Sequence, residues 1–326
     1  MTVATKPRIG FLGVGWIGRA RMEALLATGI VEPVGVPDLD AGLRVHAANG
    51  VPAVATLEEL LALDPDGVVI ATPSALHAEQ AIAALECGAA VFCQKPLARG
   101  AAETRRVLAA AARADRLLGV DLSYRHTRAV QALRAVLDEL GDLYAADLVF
   151  HNAYGPDKPW FSDPQLAGGG CLIDLGTHLV DLALWLTGSR CATVAAASLR
   201  RGGRPLRAGE VEDFALAHLE LGGGVTARIA CSWFLPAGRD AVVECSVYGT
   251  EGAASVRNVD GSFYDFEAWR HRGTSSELLA RPPDRWGVRA LQAWAAHLAC
   301  DRGYDPAAEE YLHLAEVLDA IYGWRP

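Results

Sequence analysis

The sequence predicts an α/β chain in two parts: a doubly wound parallel sheet, then an α+β domain with a large, mostly antiparallel sheet. Three observations lead there. Apolar strand-like runs alternate with helical patterns as far as Asp121, as parallel strands joined by crossover helices do. After Tyr124 come long alternating or apolar segments separated by turn residues, as antiparallel strands do. The 326 residues exceed what one core organises, and at about 150 residues per domain two are expected, here divided at 123/124.

The first strand, 9–12, runs into Gly13, Val14, Gly15, Trp16, Ile17 and Gly18, and a helix over 19–28 follows. In such a turn the first glycine permits a tight reversal, the second lets backbone approach a pyrophosphate, and the third lets helix pack on strand. The unpaired N–H groups and positive dipole end of the helix favour an anion. A second apolar run, 31–36, ends near Asp38, 20 residues beyond Gly18. A carboxylate there accepts hydrogen bonds from a ribose 2′-OH and repels a 2′-phosphate. The turn therefore predicts a dinucleotide, NAD in preference to NADP; its alternative is a glycine turn without a ligand.

The parallel pattern continues through a strand over 68–71, a helix over 76–87, a strand over 89–93, a helix over 101–114 and a strand over 118–121. Ligands of such sheets bind at the carboxyl ends of the strands. The second part opens with a helix over 127–139 and an extended stretch over 143–153. A Gly/Pro-rich loop over 154–170 and a helix over 173–187 come next. Strands are expected over 193–199, 211–221, 225–233, 241–248 and 262–268, and helices over 285–300 and 306–322 close the chain.

Composition bounds the function. A net charge of −9 argues against a nucleic-acid partner, whose phosphates need a basic surface. Residues 1–8 lack the apolar core of a signal peptide, and no stretch is expected to reach the ~20 apolar residues of a membrane span. A cytoplasmic protein with a small-molecule substrate is expected. Seven cysteines, with no Cys-x-x-Cys pair, write neither a disulfide framework nor a zinc ribbon.

Two segments carry chemistry. The strand over 89–93 ends in Gln94, Lys95 and Pro96, which puts a lysine at a strand's carboxyl end, where it can stabilise a developing alkoxide; its alternative is an exposed loop lysine. Gly168, Gly169 and Gly170 allow close backbone approach ahead of a helix carrying Asp174, His178 and Asp181 on one face. A histidine can take a hydroxyl proton while a carboxylate one turn away orients it. A metal site is the rival reading of the trio, but no further histidine or cysteine cluster completes one, and no metal is expected. Core packing is the other rival for His178. Tyr154 and Trp160 in the loop, with Phe161, are candidate substrate contacts, as are Tyr124 and Arg125 at the domain crossover. Arg200, Arg201, Arg204 and Arg207 could grip a nucleotide-sugar diphosphate or form a solvated turn. Trp269, Trp286, Trp294 and Trp324 read as packing.

Together these residues resemble the glucose-fructose oxidoreductase and inositol dehydrogenase family, Gfo/Idh/MocA. Beside the glycine turn (Gly13, Gly15, Trp16, Ile17, Gly18), the run Ala71, Thr72, Pro73 to His77 is similar to the family loop bordering the nicotinamide ribose. Lys95 and Pro96 match the end of its Glu-Lys-Pro motif, with Gln94 in place of the glutamate. Asp174 and His178 fall on its Asp-x-Gly-x-His pattern. The resemblance implies a Rossmann domain, a substrate domain with an open-faced sheet, and homodimers or homotetramers through that sheet. It implies hydride transfer between nicotinamide and a secondary alcohol of a sugar or cyclitol. Lys95, Asp174 and His178 are then catalytic: His178 accepts the proton and Lys95 polarises the oxygen, or the two exchange roles. The alternatives are a ketoreductase of a nucleotide-linked deoxysugar, a glycosidase retaining NAD, and a non-catalytic sensor.

Overall fold

A computed structural model of the chain describes residues 6–37 and 53–324. They fall into two compact units, Met1–Asp121 with Gly287–Leu312, and Leu122–Trp286 with His313–Pro326. The division at 123/124 had given everything beyond it to the second domain. The structure returns Gly287–Leu312 to the first unit because the helix Arg289–Cys300 lays Ala290, Leu291, Trp294, Ala295 and Leu298 into one core with Ile9, Phe11, Met22, Leu25 and Phe92.

In the first unit β1 (Arg8–Leu12), β2 (Glu32–Pro37), β3 (Ala53–Val54), β4 (Gly67–Ile70), β5 (Ala90–Cys93) and β6 (Leu118–Val120) form a sheet in the order β3-β2-β1-β4-β5-β6. Every pair is parallel. Strand order reverses between β1 and β4, so their carboxyl ends diverge into a crevice that takes ligands in this topology. The crossovers carry α1 (Trp16–Leu26), α2 (Leu57–Leu61), α3 (Ser74–Glu86) and α4 (Ala101–Ala114). β4 and β5 are buried along their whole length, as continuous apolar runs between helical layers must be. Asp38, the expected ribose ligand, lies outside the described residues.

The second unit begins with α5 (Arg128–Ala135), capped by the Thr127 hydroxyl accepting from Val130 N–H at 3.1 Å. It ends four residues before the expected 139, giving way to a 3₁₀ turn, Leu137–Leu140. β7 (Leu143–Asn152), α6 (Pro164–Ala167) and α7 (Thr177–Thr187) follow, then β8 (Ala192–Arg201), β9 (Arg204–Pro205), β10 (Phe214–Leu221) and β11 (Thr226–Ser232). β12 (Ala241–Gly249), β13 (Ala253–Asn258), β14 (Phe266–Arg272) and β15 (Ser275–Ala280) complete a nine-stranded sheet, β15-β14-β13-β12-β7-β11-β10-β8-β9. All neighbours are antiparallel except β7 and β11.

Alternation along the strands gives this sheet two unlike faces. Leu148, Phe150, Ile229, Cys231, Val243 and Cys245 are buried on one. The other is polar: Arg228 bonds Asp147 at 2.7 and 2.8 Å, with Thr226, His218 and Glu220 exposed nearby. Among the described residues one helical run, Pro164–Thr187, is long and apolar enough to cross a membrane, with a mean hydropathy of 1.3. That corrects the expectation that no such stretch exists. Of its most apolar window 89% is buried inside the protein, which is the environment those side chains need.

Candidate active site

In the first unit the glycine turn is set by contact. Gly13 has φ +83°, and a Cβ there would lie 2.5 Å from the Ala71 carbonyl carbon; a Cβ on Gly18 would lie 1.9 Å from the Gly13 oxygen. The turn thus closes on the Ala71–Thr72 loop at the switch point. Gly15 is the extended N-cap of α1, without a side-chain cap and with no acidic residue in the first turn. Trp16 is 73% exposed. A helix start left uncapped and open suits a pyrophosphate, so the residues present fit a dinucleotide.

The loop that carries the lysine is tied to its neighbour. His77 is 1% exposed, with Nδ1 2.7 Å from the Pro96 carbonyl oxygen and Nε2 2.7 Å from that of Thr72. It ties the loop after β4 to the loop after β5. Burial pushes the His77 pKa down more strongly than the two carbonyls push it up, and the Lys95 ammonium adds to the depression. Thr72 Oγ1 donates to Gln80 Oε1 at 2.6 Å, and Pro73 precedes α3. The Lys95–Pro96 peptide is cis, as the sequence allowed. Lys95 N–H donates to Gln94 Oε1 at 3.0 Å, and Gln94 Nε2 donates to Asp121 Oδ2 at 3.0 Å. Gln94, expected beside the cofactor, is thus engaged by the protein itself.

In the second unit the helix bearing the other candidates opens as one π turn, Leu172–Gly176, before continuing as α7; such turns are frequent at functional sites. Asp174 Oδ2 accepts from Trp233 Nε1 at 3.1 Å. His178 is 8% exposed and packs edge-on against Tyr124, ring centroids 4.7 Å apart. Tyr124 also meets Phe150, Phe266 and Trp286. Burial, with the Asp174 charge, pushes its phenol pKa up. Asp181 leaves the trio: it forms a bidentate pair with Arg125, with Nε 2.9 and 3.0 Å from its oxygens and an Nη2 contact besides. Arg125, expected to touch substrate, is committed to Asp181 and to the Trp185 face at 5.5 Å.

Two glycines of the triplet lie close against protein. A Cβ on Gly169 would lie 2.0 Å from Tyr322 Oη, and one on Gly170 2.0 Å from the Glu212 carbonyl oxygen. The Glu212 carboxylate, 1% exposed, accepts from Gly170 N–H at 3.0 Å, Leu172 N–H at 2.8 Å and Tyr322 Oη at 2.8 Å. Burial nevertheless keeps its pKa above the usual carboxylate range. In the loop before it, Trp160 and Phe161 stack on each other at 3.8 Å, and Phe161 meets Trp233 edge-on at 6.3 Å. Tyr154 is exposed, its hydroxyl donating to Asp240 at 2.7 Å. The arginine loop is largely occupied internally: Arg204 grips Glu210 at 2.6 and 2.8 Å, and Arg201 bonds the Val211 carbonyl at 2.9 Å.

Sequence reasoning missed Asp121, Arg21, Glu212 and Trp233. Asp121 carried a signal, since it follows β6 as Gln94 follows β5. The others are joined to the site only by long-range folding.

Both units match models of known protein families. The model described as the oxidoreductase family, NAD-binding Rossmann fold, matches residues 7–122, and that of the GFO/IDH/MocA C-terminal domain matches 130–255. The putative UDP-kanosamine synthase oxidoreductase subunit of Amycolatopsis mediterranei is 35% identical over 97% of this chain and 95% of its own length. Further relatives, 25–31% identical, are named as dehydrogenases or reductases of sugars and inositols. The structure of GenD2 from gentamicin A biosynthesis, in complex with NAD, superposes with a TM-score of 0.80 at 26% identity, covering 98% of this chain and 93% of that one. The 3-ketoreductase KijD10 from Actinomadura kijaniata, with NADP and TDP-benzene, shares the fold with a TM-score of 0.84 at 22% identity, covering 98% of both chains. On these matches in both units, the chain belongs to the GFO/IDH/MocA family of nicotinamide-dependent oxidoreductases.

Proposed function

We propose that the protein oxidises a secondary alcohol of a sugar or cyclitol, with NAD as acceptor. The observation that carries this reading is Lys95, fixed at the carboxyl end of β5 in the unit whose glycine turn leaves α1 open to a pyrophosphate. Gly13, Gly15, Trp16, Ile17 and Gly18 would hold the dinucleotide, with Ala71, Thr72 and Pro73 bordering its ribose. Bound nicotinamide supplies a two-electron acceptor at carbon. Lys95 donates a hydrogen bond to the alcohol oxygen and stabilises negative charge developing on it. His178 takes the hydroxyl proton. Asp174, held by Trp233, orients the imidazole or a neighbouring hydroxyl of the substrate. Self-association through the polar face of the nine-stranded sheet is part of the proposal.

A substrate carried on a nucleoside diphosphate is the second reading. The UDP-kanosamine relative favours it, while the internal engagement of Arg201 and Arg204 speaks against that loop as the diphosphate grip. One panel tests both: free sugars, inositols, UDP-hexoses and their keto forms, each with NAD and NADP, followed by the absorbance of reduced nicotinamide. Turnover of polyols or sugars with NAD is expected. Turnover confined to UDP-hexoses selects the second reading, and preference for NADP overturns the role given to Asp38.

A further inference from the structure

Residue 94 is an amide with both ends used. Its Oε1 accepts the Lys95 backbone N–H at 3.0 Å, and its Nε2 donates to Asp121 Oδ2 at 3.0 Å. Asp121 follows β6, is 1% exposed, and receives a second bond on the same oxygen from Arg21 Nε of α1, at 2.8 Å. Its other oxygen, Oδ1, is buried without a hydrogen bond among the described residues. Arg21 from α1 and Cys93 from β5 face this carboxylate, and the Cys93 thiol pKa is pushed up by burial and by the Asp121 charge.

Each element of this relay excludes the obvious replacement. A glutamate at 94 could still accept from Lys95 N–H, but its second oxygen would face Asp121 at hydrogen-bond distance with no proton between them. A buried carboxylate and a half-buried one so placed repel each other, which raises the pKa of the pair and favours a shared proton. Nor can the amide turn round, because its oxygen would then meet Asp121 and its nitrogen the Lys95 N–H. The amide orientation, and with it the bond on the Lys95 backbone, is therefore dictated from the end of β6.

We propose that Asp121 is a positioning residue for Lys95, acting through Gln94, and that its carboxylate is the reason residue 94 is an amide. The role of Lys95 as the reacting amine rests on the proposed function, so the test reads the relay without sugar turnover.

The chain has three lysines, Lys6, Lys95 and Lys158, which lets Lys95 be followed individually by mass spectrometry of peptides after brief treatment with an amine-acetylating reagent. Thermal unfolding and Lys95 acetylation are measured from about pH 5 to about pH 8 for wild type, Gln94→Glu and the double variant Gln94→Glu/Asp121→Asn. In Gln94→Glu the folded-state pKa of the new acid is raised by Asp121. The variant is thus expected to match wild type at the acid end, where a protonated glutamic acid donates as the amide did, and to lose Tm as pH rises. At the alkaline end its Lys95 acetylation rate is expected to change about threefold to tenfold, the scale of one lost hydrogen bond, with Lys6 and Lys158 unmoved. In the double variant the second carboxylate is gone and the amide introduced at position 121 can donate to the carboxylate introduced at position 94, at the cost of the Arg21 Nε bond that shared the same atom. At least half of both losses should return. Wild-type Tm and labelling in Gln94→Glu at the alkaline end would overturn the proposal, as would a double variant no better than the single. A drop in Tm that is reversed by Asp121→Asn while Lys95 labelling never moves would also overturn it, because Asp121 would then support the fold without positioning the lysine.

Discussion

The Trp233 indole N–H points at the Asp174 carboxylate, Nε1 to Oδ2 3.1 Å, and joins the end of β11 to the π turn that opens the candidate catalytic helix. A hydrogen bond of this kind contributes about 1 kcal/mol, or more to a charged acceptor. Trp233→Phe keeps most of the ring and removes the donor. Turnover is expected to fall about fivefold to tenfold with KM little changed, measured by steady-state kinetics on whichever alcohol the substrate panel identifies. An unaltered kcat would show that Asp174 is oriented from elsewhere.

Lys95 and His178 come from different units of the chain and are assigned different steps. Lys95→Ala and His178→Ala should each lower kcat about 10²–10⁴-fold, while NADH binding, followed by tryptophan fluorescence, stays within a few-fold of wild type. Near-full turnover in both variants would end the proposed mechanism.

His77 and His151 make stability depend on acidity. Burial lowers both pKa values below the ordinary 6.5, with Lys95 acting on His77 and Arg228 on His151. The folded state therefore holds fewer protons than the unfolded chain below that value. Their contribution is complete above about pH 6.5 and is lost as pH falls toward the folded-state values. Glu212 works in the opposite sense, since its raised pKa favours the folded state at the acid end. The informative measurement is a difference: Tm against pH for His77→Gln, whose decline below neutrality should be shallower than that of wild type. Parallel curves would remove His77 as a source of the acid limb.

Gly170 tests the reading of the triplet as a packing device. Its missing Cβ would meet the Glu212 backbone at 2.0 Å, so Gly170→Ala must move a buried strand entry or distort the turn. A loss of about 1–3 kcal/mol is expected from overpacking, read by chemical denaturation, with NADH affinity unchanged because the triplet belongs to the second unit. Stability equal to wild type would mean that the turn yields without cost and that packing does not require glycine there.

Legibility in the sequence followed the range of the interactions. The alternation of β1, β2, β4, β5 and β6 with α1, α3 and α4 could be read because each strand is a short apolar run and each helix carries its own period; α4 has the predicted limits, whereas the two-residue β3 and the five-residue α2 were too short to show a pattern. β13 and β15 escaped notice. β13, Ala253–Asn258, has one β-branched residue, and β15, Ser275–Ala280, is an exposed edge strand rich in serine. Neither has a pattern of its own until β12 and β14 pair with them. The site divides likewise. Lys95, Asp174 and His178 stand out by local motif, whereas Asp121 and Glu212 act on residues 27 and 40 or more positions away. The spacing of Asp174, His178 and Asp181 placed them on one face correctly as a pattern, but it held no information that Arg125 would claim Asp181. The glycine triplet was understood as permitting close approach, and what approaches is Tyr322 and Glu212.

The path of the chain between its units has a consequence for engineering. A piece ending at Asp121 would contain every strand of the parallel sheet yet lack the Trp294 indole, against which Gly67 and Gly119 are cut so closely that a Cβ on either would lie 2.7 Å from it. It would also lack the Arg302 carbonyl that accepts from Leu117 N–H at 2.8 Å. A graft that exchanges the second unit for another must therefore be spliced at three junctions, after Asp121, Trp286 and Leu312, leaving the intervening segment 287–312 with the first unit.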